Sequence, residues 1–213
     1  MHDLTQPIET GMQTYPGDPA VNIESVAEHD SVGYRESRLT CGTHTGTHVD
    51  APAHTEPDGK TLEEFDVAAF ERTCRRVDCQ DLDAREPIPA GRIPTVDSDV
   101  DCLVFWTGWD EHWNTDRYLD HPYLSPAAAE RCAEQGLAVG VDTLNPDPTP
   151  SERSRADEPD GFPAHHVLLG SELLLFENLT NLGAVSDRFE LRASPIRIDG
   201  DGAPVRAIGV DRS

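Results

Sequence analysis

Lysine is almost missing from this chain. Lys60 is the single lysine, and the other basic residues are sixteen arginines in a sequence of 213 residues. Against 17 basic residues stand 40 acidic ones, leaving a formal net charge of −23 and a pI near 4.5. So negative a chain has no electrostatic grip on nucleic acid or on an anionic membrane surface, and neither is expected as a partner. An acid excess without lysine fits a halophile's cytosol at molar salt. There the Debye length falls to about 3 Å and the self-repulsion of a compact acidic chain is screened.

Aromatic residues are also scarce, at 6%. Few aromatics with high net charge is a signature of disorder, but here 37% of the residues are apolar and they gather in short β-rich runs. Runs such as Leu173–Phe176 are far too short to cross a bilayer. The start, Met1 to Gln13, has no basic region leading into an apolar one, so no secretory signal is expected. The five cysteines (Cys41, Cys74, Cys79, Cys102 and Cys132) are odd in number and form no Cys-x-x-Cys pair. That argues against a disulfide scaffold or a zinc ribbon and for reduced thiols in a cytoplasmic protein. No Gly-x-Ser-x-Gly nucleophile motif occurs.

The length suits one domain spanning residues 1–213. Alternation and β-rich composition predict strands over Val21–Val26, Tyr34–Thr40, Thr73–Val77, Cys102–Trp106, Leu137–Val141 and Leu173–Phe176. Ile196–Ile198 and Val205–Val210 flank Asp199-Gly200-Asp201-Gly202 and read as a terminal hairpin. Thr61-Leu62-Glu63-Glu64 has the spacing of a capping box and predicts a helix through Phe70. Ser125-Pro126 opens a second helix that Gly136 stops, and a short third one is expected around His165–Ser171. Asn145–Pro163, with its prolines and acids, reads as a long loop of the kind that is functional or mobile. The mixture is that of a single strand-rich α/β domain.

The chemistry concentrates in His44-Thr45-Gly46-Thr47-His48-Val49-Asp50-Ala51-Pro52-Ala53-His54. Imidazoles and a carboxylate at this density are ligands for ions of the zinc or manganese class. Thr45, Gly46 and Thr47 are poor helix formers, and four residues of extended strand span about 13 Å, too far for two ligands of one ion. The chain must therefore bend between His44 and His48, and Gly46 permits the bend. His44, His48 and Asp50 are expected around one point, with Pro52 stiffening the exit that carries His54. A cluster with Cys41 only at its flank looks catalytic, since structural zinc sites are usually rich in cysteine.

A second group is His165-His166-Val167-Leu168-Leu169-Gly170, followed by Glu177 at the end of an apolar run. A carboxylate ending a buried strand needs a cation, either an arginine or a metal. Asp142 and Asp147 are read either as groups orienting ligands or as plain turn residues. Trp106 is read as core. Trp109 and Trp113 could stack an aromatic substrate or simply pack, and Asp97–Asp101 is read as a solvated loop. His29, His112 and His121 are given no role.

The pattern His44 to His54 resembles the signature of the metal-dependent cyclase/kynurenine formamidase (arylformamidase) family. Asp3-Leu4-Thr5-Gln6-Pro7-Ile8, Tyr15-Pro16-Gly17-Asp18-Pro19, Thr107-Gly108-Trp109 with His121-Pro122, Gly140-Val141-Asp142-Thr143 and His165 to Asn178 extend the resemblance over most of the chain. It implies a swivelling β/β/α fold, a homodimer or higher homo-oligomer, and a divalent ion, zinc first and manganese second, as one ion or two. His44, His48 and Asp50 match ligands of a first ion. His165 matches a ligand of a second, and Asp50 and Glu177 match bridging carboxylates. His54 matches the general acid/base. Tyr15 falls where bacterial kynurenine formamidases carry a tryptophan that packs on the substrate ring.

The expected reaction is hydrolysis of N-formyl-L-kynurenine to L-kynurenine and formate, in tryptophan catabolism. Metal-bound hydroxide would attack and His54 would carry the proton. A cyclic amide or imide of the isatin kind, or a cyclase reaction, is the alternative that Tyr15 leaves open. A non-catalytic metal-binding protein would have no use for His54.

Overall fold

The computed structural model describes residues 1–211. Its strands are β1 (His2–Asp3), β2 (Asn22–Ala27), β3 (Glu36–Thr40), β4 (His48–Asp50), β5 (Glu71–Asp78), β6 (Pro87–Ile88), β7 (Cys102–Trp106), β8 (Tyr123–Leu124), β9 (Ala138–Val141), β10 (Leu175–Glu177), β11 (Arg188–Arg192), β12 (Gly202–Pro204) and β13 (Ile208–Asp211). The helices are α1 (His29–Val32), α2 (Pro126–Glu134) and α3 (Pro163–Gly170).

Nine strands form one mixed sheet in the order β1-β13-β11-β5-β7-β9-β10-β4-β12. The central strands β5, β7, β9 and β10 are parallel, and β11 and β4 flank them antiparallel. Parallel strands are covered on both faces, which explains the unbroken apolar run of β7. Cys102 and Val104 of β7 face one core with Phe176, Phe189 and Leu191. Leu103 and Phe105 face the other, under α2 and α3. Phe105 is fully buried, and its burial contributes roughly 1.5–3 kcal/mol. This is the α/β, strand-rich architecture expected from the sequence.

The second and third helices form as expected. The Ser125 hydroxyl accepts from Ala128 N at 3.2 Å, Pro126 starts α2, and Gly136 past its end takes φ 68°. α3 buries Ala164, His165, Leu168 and Leu169, one face of its turns.

Two expectations fail. The capping box at Thr61 is present, yet it caps only a 3-10 turn, Leu62–Glu64. Phe65 is extended (ψ 140°) and Asp66 caps a separate 3-10 turn, Val67–Phe70, so no continuous helix follows. Nor is there a terminal hairpin. Ile196–Ile198 forms no strand and only an isolated antiparallel bridge, Pro195 to Val205, joins the two segments, while β12 pairs with β4 and β13 with β11 and β1. The intervening turn is held by other segments, Asp201 O accepting from Ala51 N at 2.8 Å and Gly200 O from Leu62 N at 2.9 Å.

β2 and β3 form as alternating strands, but they pair only with each other, and nearly every residue of the hairpin is exposed.

Candidate metal centre

Sheet register places the site. In the antiparallel β4–β10 pair, His48 lies opposite Glu177, Val49 opposite Phe176 and Asp50 opposite Leu175. Side chains alternate along a strand, so Val49 and Phe176 enter one core while His48, Asp50 and Glu177 share the other face. α3 packs on that face and brings His165 in its first turn. Gly46, at φ 61°, makes the bend that returns His44 to the group.

The five side chains converge. His48 Nε2 lies 3.2 Å from both Asp50 Oδ1 and Glu177 Oε2. His165 Nε2 lies 3.2 Å from Glu177 Oε1 and 3.7 Å from Asp50 Oδ2. His44 Nδ1 lies 2.7 Å from Asp50 Oδ1. Outer partners fix each ring. His48 Nδ1 donates to Gly46 O at 2.8 Å, and His165 Nδ1 donates to Asp147 Oδ2 at 2.7 Å. His44 Nε2 donates to Asp201 Oδ2 at 2.9 Å. Asp147 also accepts from Ala164 N and His165 N, so one carboxylate caps α3 and aims its histidine.

With the outer nitrogens protonated, the inner nitrogens and the two carboxylates face one another. His48 Nε2, Asp50 Oδ2 and Glu177 Oε1 are buried with no aligned hydrogen-bond partner. Lone pairs held this close need a positive charge among them. Burial by itself would push His48 and His165 down. The carboxylates around them outweigh it and hold both well above the ordinary imidazole range. Burial likewise opposes ionisation of Asp50, but His48 and His44 hold it well below the usual carboxylate range. Three imidazoles and two carboxylates with orphaned inner atoms fit a divalent cation of the zinc or manganese class, and ligand atoms of Asp50, His165 and His54 also lie within 4.8 Å of one another.

His54 stands beside this group, its ring centroid 3.9 Å from that of His44 and 5.6 Å from that of His165. Its Nδ1 is 3.3 Å from Asp201 Oδ2. Burial and the neighbouring histidines pull it below the ordinary imidazole value despite Asp50, so it is neutral at pH 7. The 3-10 turn Pro52–His54 carries it, and Gly59 closes over that turn. A Cβ on Gly59 would meet the Pro52 carbonyl carbon at 2.4 Å.

A cavity of about 380 Å³ opens over the cluster. Tyr15, Leu144, Asn145, Phe162 and Asn178 line it beyond the histidines, with the Tyr15 and Phe162 ring centroids 6.1 Å apart. His166 is exposed and paired with Glu56 at 2.9 Å, which leaves His165 as the member of the cluster. Cys41 is free and lies outside the residues lining this cavity. Asp142 clamps the Thr107–Gly108 turn, accepting from both backbone N–H groups. Trp109 packs in a small cluster with Tyr118 and Leu144.

Sequence reasoning missed Asp201, which binds both His44 and His54 from a stretch that reads as a turn. The glycine after it is the visible signal, since a Cβ on Gly202 would lie 2.5 Å from His44 Cε1. It also passed over His121. That ring is buried, with Nδ1 donating to Pro122 O and Nε2 accepting from Thr149 Oγ1, both at 2.8 Å; Thr149 in turn holds Asn145 of the cavity wall. Burial pushes His121 down to about 4, so it is neutral when folded. Unfolded, it takes a proton below about 6.5. Its contribution is therefore complete above about pH 6.5 and is lost as pH falls toward 4, to a total of about 3 kcal/mol. Melting curves should show a steeper loss of stability between pH 7 and 5 for wild type than for His121→Gln. Parallel losses would contradict this reading.

Residues 2–148 match the Cyclase family model. The kynurenine formamidase of Bacillus mycoides (strain KBAB4) is 30% identical over 211 residues, 97% of this chain and 95% of that protein. That of Bacillus anthracis is 28% identical over 212 residues, with the same coverage. Among solved structures, an isatin hydrolase bound to the product analogue thioisatinate superposes with a TM-score of 0.88 at 23% identity, over 100% of this chain and 92% of that one. A potential metal-dependent hydrolase with cyclase activity gives a TM-score of 0.78 at 25% identity, over 100% of this chain and 98% of that one.

Proposed function

This chain belongs to the Cyclase family and is a hydrolase, and from that premise we propose that it cleaves an aryl formamide, N-formyl-L-kynurenine, to the aryl amine and formate. The observation that carries the reading is the inward-facing set of His44, His48, Asp50, His165 and Glu177 with His54 beside it. These five side chains would hold the ion, zinc or manganese. When bound, a divalent ion polarises a carbonyl and acidifies water.

The remaining work falls to the chain. His54, neutral and with Nδ1 held by Asp201, presents Nε2 to take the proton of the attacking water. The same nitrogen returns it to the leaving aniline nitrogen as the C–N bond breaks. Tyr15 and Phe162 offer ring surface for the aryl group, and the cavity walls limit water around the reacting carbon.

A second reading is supported by Tyr15, which stands where the resembled formamidases have tryptophan. It makes the substrate a cyclic lactam of the isatin kind, opened by the same site. Steady-state hydrolysis of N-formyl-L-kynurenine and of isatin by the metal-loaded protein tests the two. A kcat/KM at least tenfold higher for the formamide is expected, and a preference for isatin would overturn the first reading.

The chain is further proposed to be a cytoplasmic homo-oligomer adapted to high salt. No described helix is long and apolar enough to cross a membrane, and all five cysteines are free. Ile23, Val26, Tyr34 and Leu39 of the β2–β3 hairpin are 40–54% exposed. A lone hairpin is marginal in water, so a second copy is the natural cover. Light scattering should give at least twice the 23.4 kDa chain mass. The melting temperature should rise steadily from about 0.1 M to about 1 M KCl as the Debye length shrinks from roughly 10 to 3 Å. A curve that does not move contradicts the salt adaptation.

A further inference from the structure

A second cavity, of about 260 Å³, adjoins the one over the metal cluster and shares Tyr15 and Phe162 with it. The two rings therefore stand between an inner chamber that holds the reacting groups and an outer one. The chambers differ in charge. The inner lining carries Asp18 and Glu177 and has no arginine or lysine. The outer lining carries Arg85, Arg155, Glu158 and Asp160.

Arg85 is not available to a ligand. It is buried, its guanidinium holds both oxygens of Glu158, and it also reaches Asp120, Thr149 O and Ser151. This set ties down the loop that ends at Phe162. Arg155 differs. It is exposed, and its guanidinium donates only to the backbone oxygens of Ala84 and Arg85, at 3.1 and 3.5 Å. Among the described residues it makes no ion pair, although the chain carries 40 acids. Glu158, its nearest acidic neighbour by sequence on this wall, is already engaged by Arg85. The Asp160 side chain makes no hydrogen bond or ion pair among the described residues. One small chamber thus presents an exposed guanidinium that has no carboxylate partner among the described residues and an unpaired carboxylate.

We infer that the outer cavity is a subsite for an amino-acid head group, its carboxylate on Arg155 and its ammonium on Asp160. This rests on the aryl formamide reading and assigns the residues that would hold the α-amino-acid tail of that substrate. With the formyl carbon at the metal cluster and the ring against Tyr15 and Phe162, the tail passes outward. A substrate carboxylate finds no arginine or lysine to pair with in the inner chamber and is accepted by the planar fork of Arg155 in the outer one. Binding energy gathered there, away from the reacting atoms, positions the formamide. An uncharged lactam such as isatin has no group to place in it.

The test uses the metal-loaded wild type and Arg155→Met at one fixed salt concentration. Calorimetry measures the affinity of each protein for L-kynurenine and for kynuramine, which keeps the ring and amine but lacks the carboxylate. The expected result is a wild-type preference for L-kynurenine that falls roughly tenfold or more in the variant. In parallel, kcat/KM for N-formyl-L-kynurenine relative to a tail-less aryl formamide should fall by a similar factor, mainly through KM. A preference that Arg155→Met leaves unchanged overturns the subsite, and the formamidase reading stands if wild type still turns over the formamide. If wild type binds L-kynurenine through Arg155 but hydrolyses no formamide, the subsite stands and the formamidase reading falls. If wild type shows no preference for L-kynurenine, the subsite is overturned whatever the turnover.

Discussion

Replacing His54 by alanine should lower kcat by about 10²–10⁴-fold while leaving the metal content of the protein unchanged. His54 shares Asp201 with His44, and one of its ring nitrogens lies within 4.8 Å of ligand atoms of Asp50 and His165, so its role is decided by what its loss does to the metal. Its ring is neutral at pH 7 because burial and the neighbouring histidines disfavour its charge. A neutral imidazole at that place can take a proton and return it. The measurement is turnover alongside elemental analysis of the same sample. Loss of metal together with turnover would make His54 a ligand instead. Full turnover without it would remove the proton-transfer role.

The second large effect concerns Asp147. Its carboxylate accepts from Ala164 N, His165 N and His165 Nδ1, so it caps α3 and sets the direction of His165 Nε2 in one stroke. Asp147→Ala should weaken metal affinity by about 10–100-fold, as removal of such an orienting partner typically does. It should also cost about 1–2 kcal/mol of stability through the lost cap. Competition against a chelating dye measures the first, and denaturant melts of the metal-free protein measure the second. A stability loss with unchanged metal affinity would mean that His165 does not help hold the ion.

How much of this was legible in the amino acids depends on the distance between partners. His44, His48 and Asp50 lie in one stretch with Gly46 and Pro52, so local geometry alone demands a bend that gathers them. The structure places them together, with the turn at Gly46. His165 and Glu177 were reachable only through resemblance. Their approach depends on the register of β10 against β4 and on α3 packing over that face, and no local pattern encodes either. Asp201 is 157 residues from His44, and Asp199-Gly200-Asp201-Gly202 carries the residues of a hairpin turn. Here Gly202 serves the close approach of His44, and β12 leaves to pair with β4. The capping box at Thr61 shows the converse. Its side chains bond as the spacing predicts, but one turn of local preference cannot carry the chain past an extended Phe65.

The central claim is that five inward side chains hold a divalent ion that this chain uses for hydrolysis. Its most direct test follows N-formyl-L-kynurenine hydrolysis by absorbance in about 1 M KCl, before chelation, after removal of the chelated metal, and after adding back zinc or manganese. The account predicts turnover that disappears with the metal and returns with one of the two ions. Turnover that persists in rigorously metal-free protein would contradict it.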